Sequence, residues 1–218
     1  MKAIAYNGSP RKNWNTAQLL QRALEGAASQ GAETKLYNLY DIPFTGCKSC
    51  FACKLKDGAS YGKCAVKDGL EAILAEAAQA DALIIGSPVY FGQLSGMTRS
   101  FIERLLFPYL VYAPGYPGLF TRKVPVGMIY TMNVNDEDLK LRGYEENFRS
   151  TENVLARTFG ACESLYSTDT YQFEDYSKYE VTSFDPEKKA ARRREHFPLD
   201  LEKAYTLGRR LAGDYSEE

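Results

Sequence analysis

The sequence predicts an α/β fold, a three-layer doubly wound parallel sheet with helices on both faces. Three observations predict it. Strand-like and helix-like segments alternate five times along the 218 residues. The run Ala82-Leu83-Ile84-Ile85 is apolar without a break, as a parallel strand buried on both faces must be. The short apolar runs stop on turn residues, Asn7-Gly8-Ser9-Pro10 after the first and Gly86-Ser87-Pro88 after the third. No repeat, low-complexity stretch or long linker interrupts the pattern, so residues 1–218 are expected to form one domain.

The elements follow in order. Residues 2–6 form the first strand. Leu19, Leu20, Ala23, Leu24 and Ala27 recur with a helical period, which predicts a helix over 16–28 capped by Asn15 or Thr16 and ended by Gly31. Residues 35–39 are the second strand. A cysteine-rich loop precedes a helix over 68–80, carried by Leu70, Ile73, Leu74 and Ala77. The third strand spans 82–85, and a helix spans 95–106. Prolines and glycines among aromatics make 107–123 a structured loop. The fourth strand covers 124–130, with Pro125 near its start, where a missing donor is tolerated. A helix over 145–159, a fifth strand over 162–166, an aperiodic tyrosine-rich stretch over 173–185 and a helix over 198–211 complete the chain.

Composition excludes several classes of function. Lys+Arg is 27 and Asp+Glu is 28, a net charge of −1, which rules out a general basic field for nucleic acid or a cationic membrane patch. Hydrophobic residues at 44% and charged residues at 25% argue against disorder. The one histidine, His196, cannot supply a multi-histidine metal centre. The five cysteines are odd in number, and no secretory apolar region fits the first residues. No 18-residue apolar run suggests a membrane span, so a cytoplasmic setting without a membrane partner is expected.

Two loops carry ligand chemistry. The first strand delivers Asn7-Gly8-Ser9-Pro10-Arg11-Lys12-Asn13-Trp14-Asn15-Thr16 into a helix. Gly8 permits a tight turn, Ser9, Asn15 and Thr16 offer donors, Arg11 and Lys12 add charge, and the helix start adds free amides. Together these suit a phosphate. There is no GxxxxGK[ST] and no GxGxxG, so neither a nucleotide-triphosphatase loop nor an ordinary dinucleotide fold is supported. The third strand leads into Pro88-Val89-Tyr90-Phe91-Gly92, where two aromatics beside glycine suit a flat heterocycle.

With these blocks in hand, Asn7 to Arg11 with Asn15-Thr16, the Cys47 to Cys53 loop, and Gly86 to Gly92 with Ser95-Gly96, the chain resembles the NADPH-dependent FMN reductase-like family of flavodoxin-like flavoproteins. Block order and spacing match over roughly the first 135 residues, and the remaining third matches only in element order. The resemblance implies a five-stranded parallel sheet in order 2-1-3-4-5 with FMN at its carboxyl edge. It implies that Ser9, Arg11, Asn15 and Thr16 hold the FMN phosphate. Pro88, Val89, Tyr90 and Phe91 would flank the ring, and Thr131 and Asn133 would close its other side. Trp14 departs from the small residue usual in the family.

Cys47, Cys50 and Cys53 are spaced CxxCxxC, and Cys64 follows after ten further residues. In the iron–sulfur flavoprotein branch of the resembling family such a run binds a [4Fe–4S] cluster, but the fourth cysteine there follows more closely. Gly58 and Gly62 permit the loop to fold back. The main expectation is therefore four thiols without metal, with a cluster on Cys47, Cys50, Cys53 and Cys64 as the alternative and zinc as a third reading. Cys162 reads as a small buried apolar residue. Lys188-Lys189 with Arg192-Arg193-Arg194 reads as a solvated helix face.

The expected function is an FMN-dependent oxidoreductase that passes hydride or electrons from NADPH or NADH to a small acceptor such as a quinone or flavin. No side chain is assigned a catalytic role, because the cofactor carries the chemistry. The alternative is an electron-transfer flavoprotein with a cluster. By resemblance the chain is expected to form a homodimer or homotetramer.

Overall fold

Ala3, Ile4, Ala5 and Tyr6 have no solvent exposure, so strand β1 (Lys2–Asn7) is covered on both faces. The computed structural model describes residues 1–213. Helix α1 (Asn15–Ala28) follows β1, and strand β2 (Glu33–Asn38) returns parallel to it, with Ile4 opposite Lys35. Helix α2 (Glu71–Ala77) leads to strand β3 (Ala82–Tyr90), which lies on the other side of β1 with Ile4 opposite Leu83. A short strand β4 (Gln93–Leu94) and helix α3 (Gly96–Leu106) precede strand β5 (Val126–Thr131). Helices α4 (Asp136–Leu141) and α5 (Tyr144–Phe159), strand β6 (Cys162–Ser167) and helices α6 (Pro186–Glu195) and α7 (Phe197–Leu211) complete the order.

The parallel strands run β2-β1-β3-β5-β6, and β4 pairs only with β3. Counting parallel strands alone, this is the expected 2-1-3-4-5 order of a flavodoxin-like sheet. One face packs Ala3, Ala5 and Ile84 against Leu19, Leu20 and Ala23 of α1 and Leu207 of α7. The other packs Tyr6, Ile85 and Tyr130 against Phe101 and Leu105 of α3 and Phe148 of α5. No helix among the described residues is long and apolar enough to cross a membrane.

Four expectations need correction. The third strand does not stop at Gly86-Ser87-Pro88. It continues to Tyr90, because Val89 and Tyr90 fold back on Leu94 and Gln93 of β4. Phe91 (φ 52°) and Gly92 (φ 74°) turn that two-residue hairpin in the left-handed region. The helix over 68–80 shortens to α2, because Asp68 accepts the Leu70 amide at 3.0 Å and faces Arg104. Neither Asn15 nor Thr16 caps α1. Trp14 occupies that position and its side chain makes no capping bond.

The basic run of α6 is a solvated face only at Lys188 and Arg194. Lys189 is buried, bonding the Asn133 carbonyl at 3.0 Å and the Asp169 carboxylate. Arg192 bonds Asp200 at 2.8 Å, and Arg193 reaches Asn15 and Gln18 on α1, both at 2.8 Å.

Helices α1 and α7 approach until backbones touch. A Cβ on Gly208 would fall 1.7 Å from the Ala23 carbonyl oxygen, and one on Gly26 would fall 2.0 Å from that of Tyr205. Helix propensity alone favours Gly208→Ala by about 1 kcal/mol. Overpacking against backbone reverses the sign, so G208A is expected to lose about 2 kcal/mol or more in urea unfolding.

Candidate functional site

The carboxyl edge of the sheet gathers the predicted loops. Asn7 ends β1, and its Oδ1 accepts the Ser9 amide at 3.0 Å while its Nδ2 donates to Asn38 Oδ1 at 3.0 Å. This turns the chain sharply out of the sheet. The Gly8 amide donates to the Gly86 carbonyl at 2.8 Å. Ser95 caps α3 and also donates its hydroxyl to the Gly8 carbonyl at 2.7 Å. Pro88 stands opposite Thr131 in register, and Thr131 Oγ1 lies 2.7 Å from Thr16 Oγ1. The first loop, the β3 end and the β5 end therefore form one edge.

Within that edge the predicted phosphate side chains are already engaged. Ser9 Oγ accepts the Arg11 amide at 3.1 Å. Arg11 Nη1 donates to the Gln172 carbonyl at 2.6 Å. Asn15 uses both ends, accepting from Arg193 at 2.8 Å and donating to the Tyr171 carbonyl at 2.8 Å. Trp14 Nε1 donates to that same carbonyl at 3.1 Å. What remains for an anion is the start of α1, which has no side-chain cap and no acidic residue in its first turn. Its orphan amides and the dipole behind them favour negative charge.

The ring-side residues differ among themselves. Pro88 and Val89 are half-buried in β3, whereas Tyr90 is exposed and Phe91, at the hairpin tip, is fully so. Across from them, Asn133 Oδ1 is buried and accepts no hydrogen bond among the described residues. A buried acceptor left unpaired is costly, so this atom fits a ligand donor.

The cysteine loop is a second site. Cys47, Cys50, Cys53 and Cys64 all line one tight cavity of about 10 Å³, walled by Glu103 and Arg104. The ten-residue gap is taken up by turns. Gly58 N–H bonds the Leu55 carbonyl at 2.9 Å, Lys63 that of Ser60 at 2.9 Å, and Gly62 that of Cys53 at 3.0 Å. Ser49 (φ 51°) and Phe51 (φ 56°) take left-handed conformations that few non-glycine residues adopt. Such strain clusters at functional sites.

Three side chains hold this loop to α3. Glu103 accepts the Cys47 amide at 3.2 Å. Lys54 Nζ donates to the carbonyls of Phe107, Pro108 and Leu110 just past the helix end. Arg104 donates to Cys64 Sγ at 2.9 Å and pairs with Asp68 at 2.8 Å. All five cysteines are free thiols. Burial holds the Cys53 thiol above its ordinary value; Lys54 opposes this, and the nearby Cys64, Cys47 and Cys50 reinforce it. Cys162 is half-buried against the core, not fully buried as expected; burial, with Glu152 and Glu163, pushes its thiol up to about 12, which fits an unreactive thiol. Among the described residues, no trio of His, Cys, Asp or Glu stands close enough to hold a single metal ion.

A cleft of about 580 Å³ lies elsewhere, between α3 and α5, and is lined by Ile102, Leu106, Val154 and Arg157 among others. It contains neither the α1 start nor the Asn133 acceptor, so the carboxyl edge is the stronger candidate for an anionic ligand. Sequence reasoning missed Arg104, Lys54 and the role of the Tyr171 carbonyl, and it read Arg193 as part of a solvated face. Arg104 alone carried a signal, a charge at i+3 from Phe101 on the apolar stripe of α3.

A family model described as NADPH-dependent FMN reductase matches residues 1–136. An iron–sulfur flavoprotein of Methanocaldococcus jannaschii is 38% identical over 104 residues, covering 48% of this chain and 51% of that protein. One of Archaeoglobus fulgidus is 39% identical over 104 residues, 48% of each. The match thus spans about half the length of these curated relatives. Among solved structures, an NAD(P)H:quinone oxidoreductase from Methanothermobacter marburgensis superposes with TM-score 0.68 at 15% identity, covering 97% of this chain and 98% of that one. An FMN-dependent NADH-azoreductase from Bacillus anthracis, solved with FMN, gives 0.66 at 12% identity, covering 98% and 100%. At these identities the likeness is one of fold.

The Arg104 guanidinium holds the Asp68 carboxyl below the usual carboxylate range. A depressed folded pKa contributes stability above the unfolded value that is lost as pH falls through the folded one. Asp68→Asn is expected to cost about 2 kcal/mol at pH 7. In urea titrations its gap from the unaltered chain should begin to narrow as pH drops below about 4, where the unfolded chain protonates, and should close only below the depressed folded value, where the carboxyl is protonated in both states.

Proposed function

Because the chain belongs to the NADPH-dependent FMN reductase family, we propose that it is an FMN-dependent oxidoreductase, taking reducing equivalents from NADPH or NADH and handing them to a small acceptor such as a quinone, a flavin or an azo compound. One observation carries this reading: the uncapped start of α1 and the orphaned Asn133 acceptor share the carboxyl edge of the sheet. They meet the two ends of a mononucleotide, an anion and a ring with polar edge atoms. Open parallel sheets bind ligands at this edge, beside the point between β1 and β3 where the strand order reverses.

FMN, when bound, supplies the hydride-accepting and electron-passing chemistry. The chain's part is to bind and orient. The first-turn amides of α1 and the Ser9 loop hold the phosphate. Pro88, Val89, Tyr90 and Phe91 would border the ring on one side, and Thr131 and Asn133 on the other, where Asn133 Oδ1 would be free to accept a hydrogen bond from it. No side-chain base is called for, in keeping with a lone histidine, His196, that is exposed between α6 and α7. Homodimer or homotetramer assembly belongs to the same proposal, with exposed Tyr112 and Tyr116 as contacts.

A second reading concerns the cysteine loop. The convergence of four thiols on one cavity favours a [4Fe–4S] centre on Cys47, Cys50, Cys53 and Cys64. The donors are the right kind, since thiolates are the ligands such clusters use. The cavity is tight, and Cys50 and Phe51 form its exposed wall. In this reading the four cysteines would hold the cluster, which would supply one-electron transfer.

Purified protein should be yellow and should bleach anaerobically with NADPH or NADH. A colourless chain that takes up no added FMN sinks the first reading, and anaerobic protein free of iron and sulfide sinks the second. Asn133→Ala should raise the Kd for FMN about tenfold, the worth of one hydrogen bond. Without FMN its unfolding free energy should not fall, since Oδ1 has no protein partner to lose and its unpaired burial is itself a cost.

A further inference from the structure

Arg104 is a full charge inside the helical layer, with its side chain 1% exposed. A buried guanidinium is tolerated only when its five N–H donors all find partners. Here they do. Nη1 donates to Asp68 Oδ2 at 2.8 Å and to the Thr45 carbonyl at 2.9 Å. Nη2 donates to Asp68 Oδ1 at 3.1 Å and to the Val66 carbonyl at 3.4 Å. Nε donates to Cys64 Sγ at 2.9 Å.

These partners are not scattered. Thr45 lies two residues before Cys47, and Val66 lies two residues after Cys64. One side chain on α3 therefore clasps both ends of the cysteine loop and also bonds a sulfur of its cavity. A structural clasp needs only the oxygens. The fifth donor, spent on sulfur, has an electronic consequence.

We propose that Arg104 positions Cys64 on the four-cysteine cavity and sets the reduction potential of the couple those cysteines carry. The proposal rests on reading this loop as a redox site. An N–H donor and a positive charge at the sulfur stabilise the electron-rich, reduced form, which raises the potential. This holds for thiolates ligating a cluster, whose potential depends on hydrogen bonds to sulfur. It holds equally for thiols against a disulfide, where a stabilised reduced form makes a stronger oxidant. Lysine cannot replace the device, because only the planar fork reaches Asp68 with two nitrogens and Cys64 with the third. Asp68 acts in the opposite sense, since its carboxylate offsets part of the cation's field.

The test is anaerobic redox titration of the full chain and of R104K, R104M and D68N, with iron and sulfide measured on each. Where iron is present, the cluster's one-electron couple is followed by paramagnetic resonance. Where it is absent, the dithiol–disulfide couple is poised in a glutathione buffer and followed by thiol alkylation, two thiols releasing two electrons and two protons. R104K and R104M should shift the midpoint to more negative potential, and D68N to more positive. A merely structural clasp predicts no such opposed shifts. A folded R104K with an unchanged midpoint overturns the proposal, as does a wild-type site that neither holds iron nor forms a disulfide. Should R104M fail to fold, R104K and D68N still give the signs. Iron-free wild-type protein removes the cluster reading while leaving Arg104 tested on the thiol couple.

Discussion

Strands β1 and β3 are buried on both faces, and the placement of everything functional depends on that constraint. Neither face can admit an unpaired backbone group, so the parallel strands are joined by segments that cross over and carry helices against the sheet. The chain must therefore leave β1, β3 and β5 at one edge. There the loops lock together through short contacts. A Cβ on Gly8 would fall 1.7 Å from Thr98 Oγ1, so only glycine lets the first loop lie this close to α3. Ser95 satisfies the Gly8 carbonyl and the Thr98 amide with one hydroxyl. The ligand edge is thus a product of core packing, with little left to the loops themselves.

Helix α3 ties the two candidate sites into one body. Its first turn is fastened to the phosphate loop through Ser95, and its buried middle holds Cys64 through Arg104. Past its end, the Lys54 ammonium sits on the carbonyls of Phe107, Pro108 and Leu110 and over the Phe107 ring. A cation is favoured where a helix leaves its carbonyls unpaired. Burial lowers the Lys54 pKa from its ordinary value, so this contact has a desolvation cost. A shift of α3 would move both sites together.

What could be read from the chain alone was local. Helices α1, α3, α5 and α7 declare themselves by the period of their apolar stripes, and β1 and β3 by unbroken apolar runs. The extension of β3 through Pro88 to Tyr90 was hidden because it depends on pairing with β4 across a hairpin. The burial of the α6 charges was hidden because their partners are remote: Arg193 reaches Asn15 across 178 positions. The gap before Cys64 looked long only as a count of residues. Folded, Lys54 to Lys63 is a pair of turns that return Gly62 to Cys53. Loop chemistry was legible in type, while the commitment of each donor was not, because it is settled by contacts from outside the loop.

Those outside contacts change how the anion site works. Residues 171–193 lie beyond the stretch matched by the family model, yet they take up the loop's side chains one by one. The Tyr171 carbonyl accepts from both Trp14 and Asn15, and the Gln172 carbonyl accepts from Arg11. Trp14, the residue that departs from the small one usual in the family, is what allows the first of these bonds. Side chains that would otherwise reach for a phosphate instead fix the loop's shape. In the proposed site, recognition would then pass to the backbone amides of α1, which cannot rotate away and lose no rotamer freedom on binding. A site built this way is preorganised by the C-terminal third of the chain, so that third is part of the ligand edge without supplying the groups that touch the phosphate.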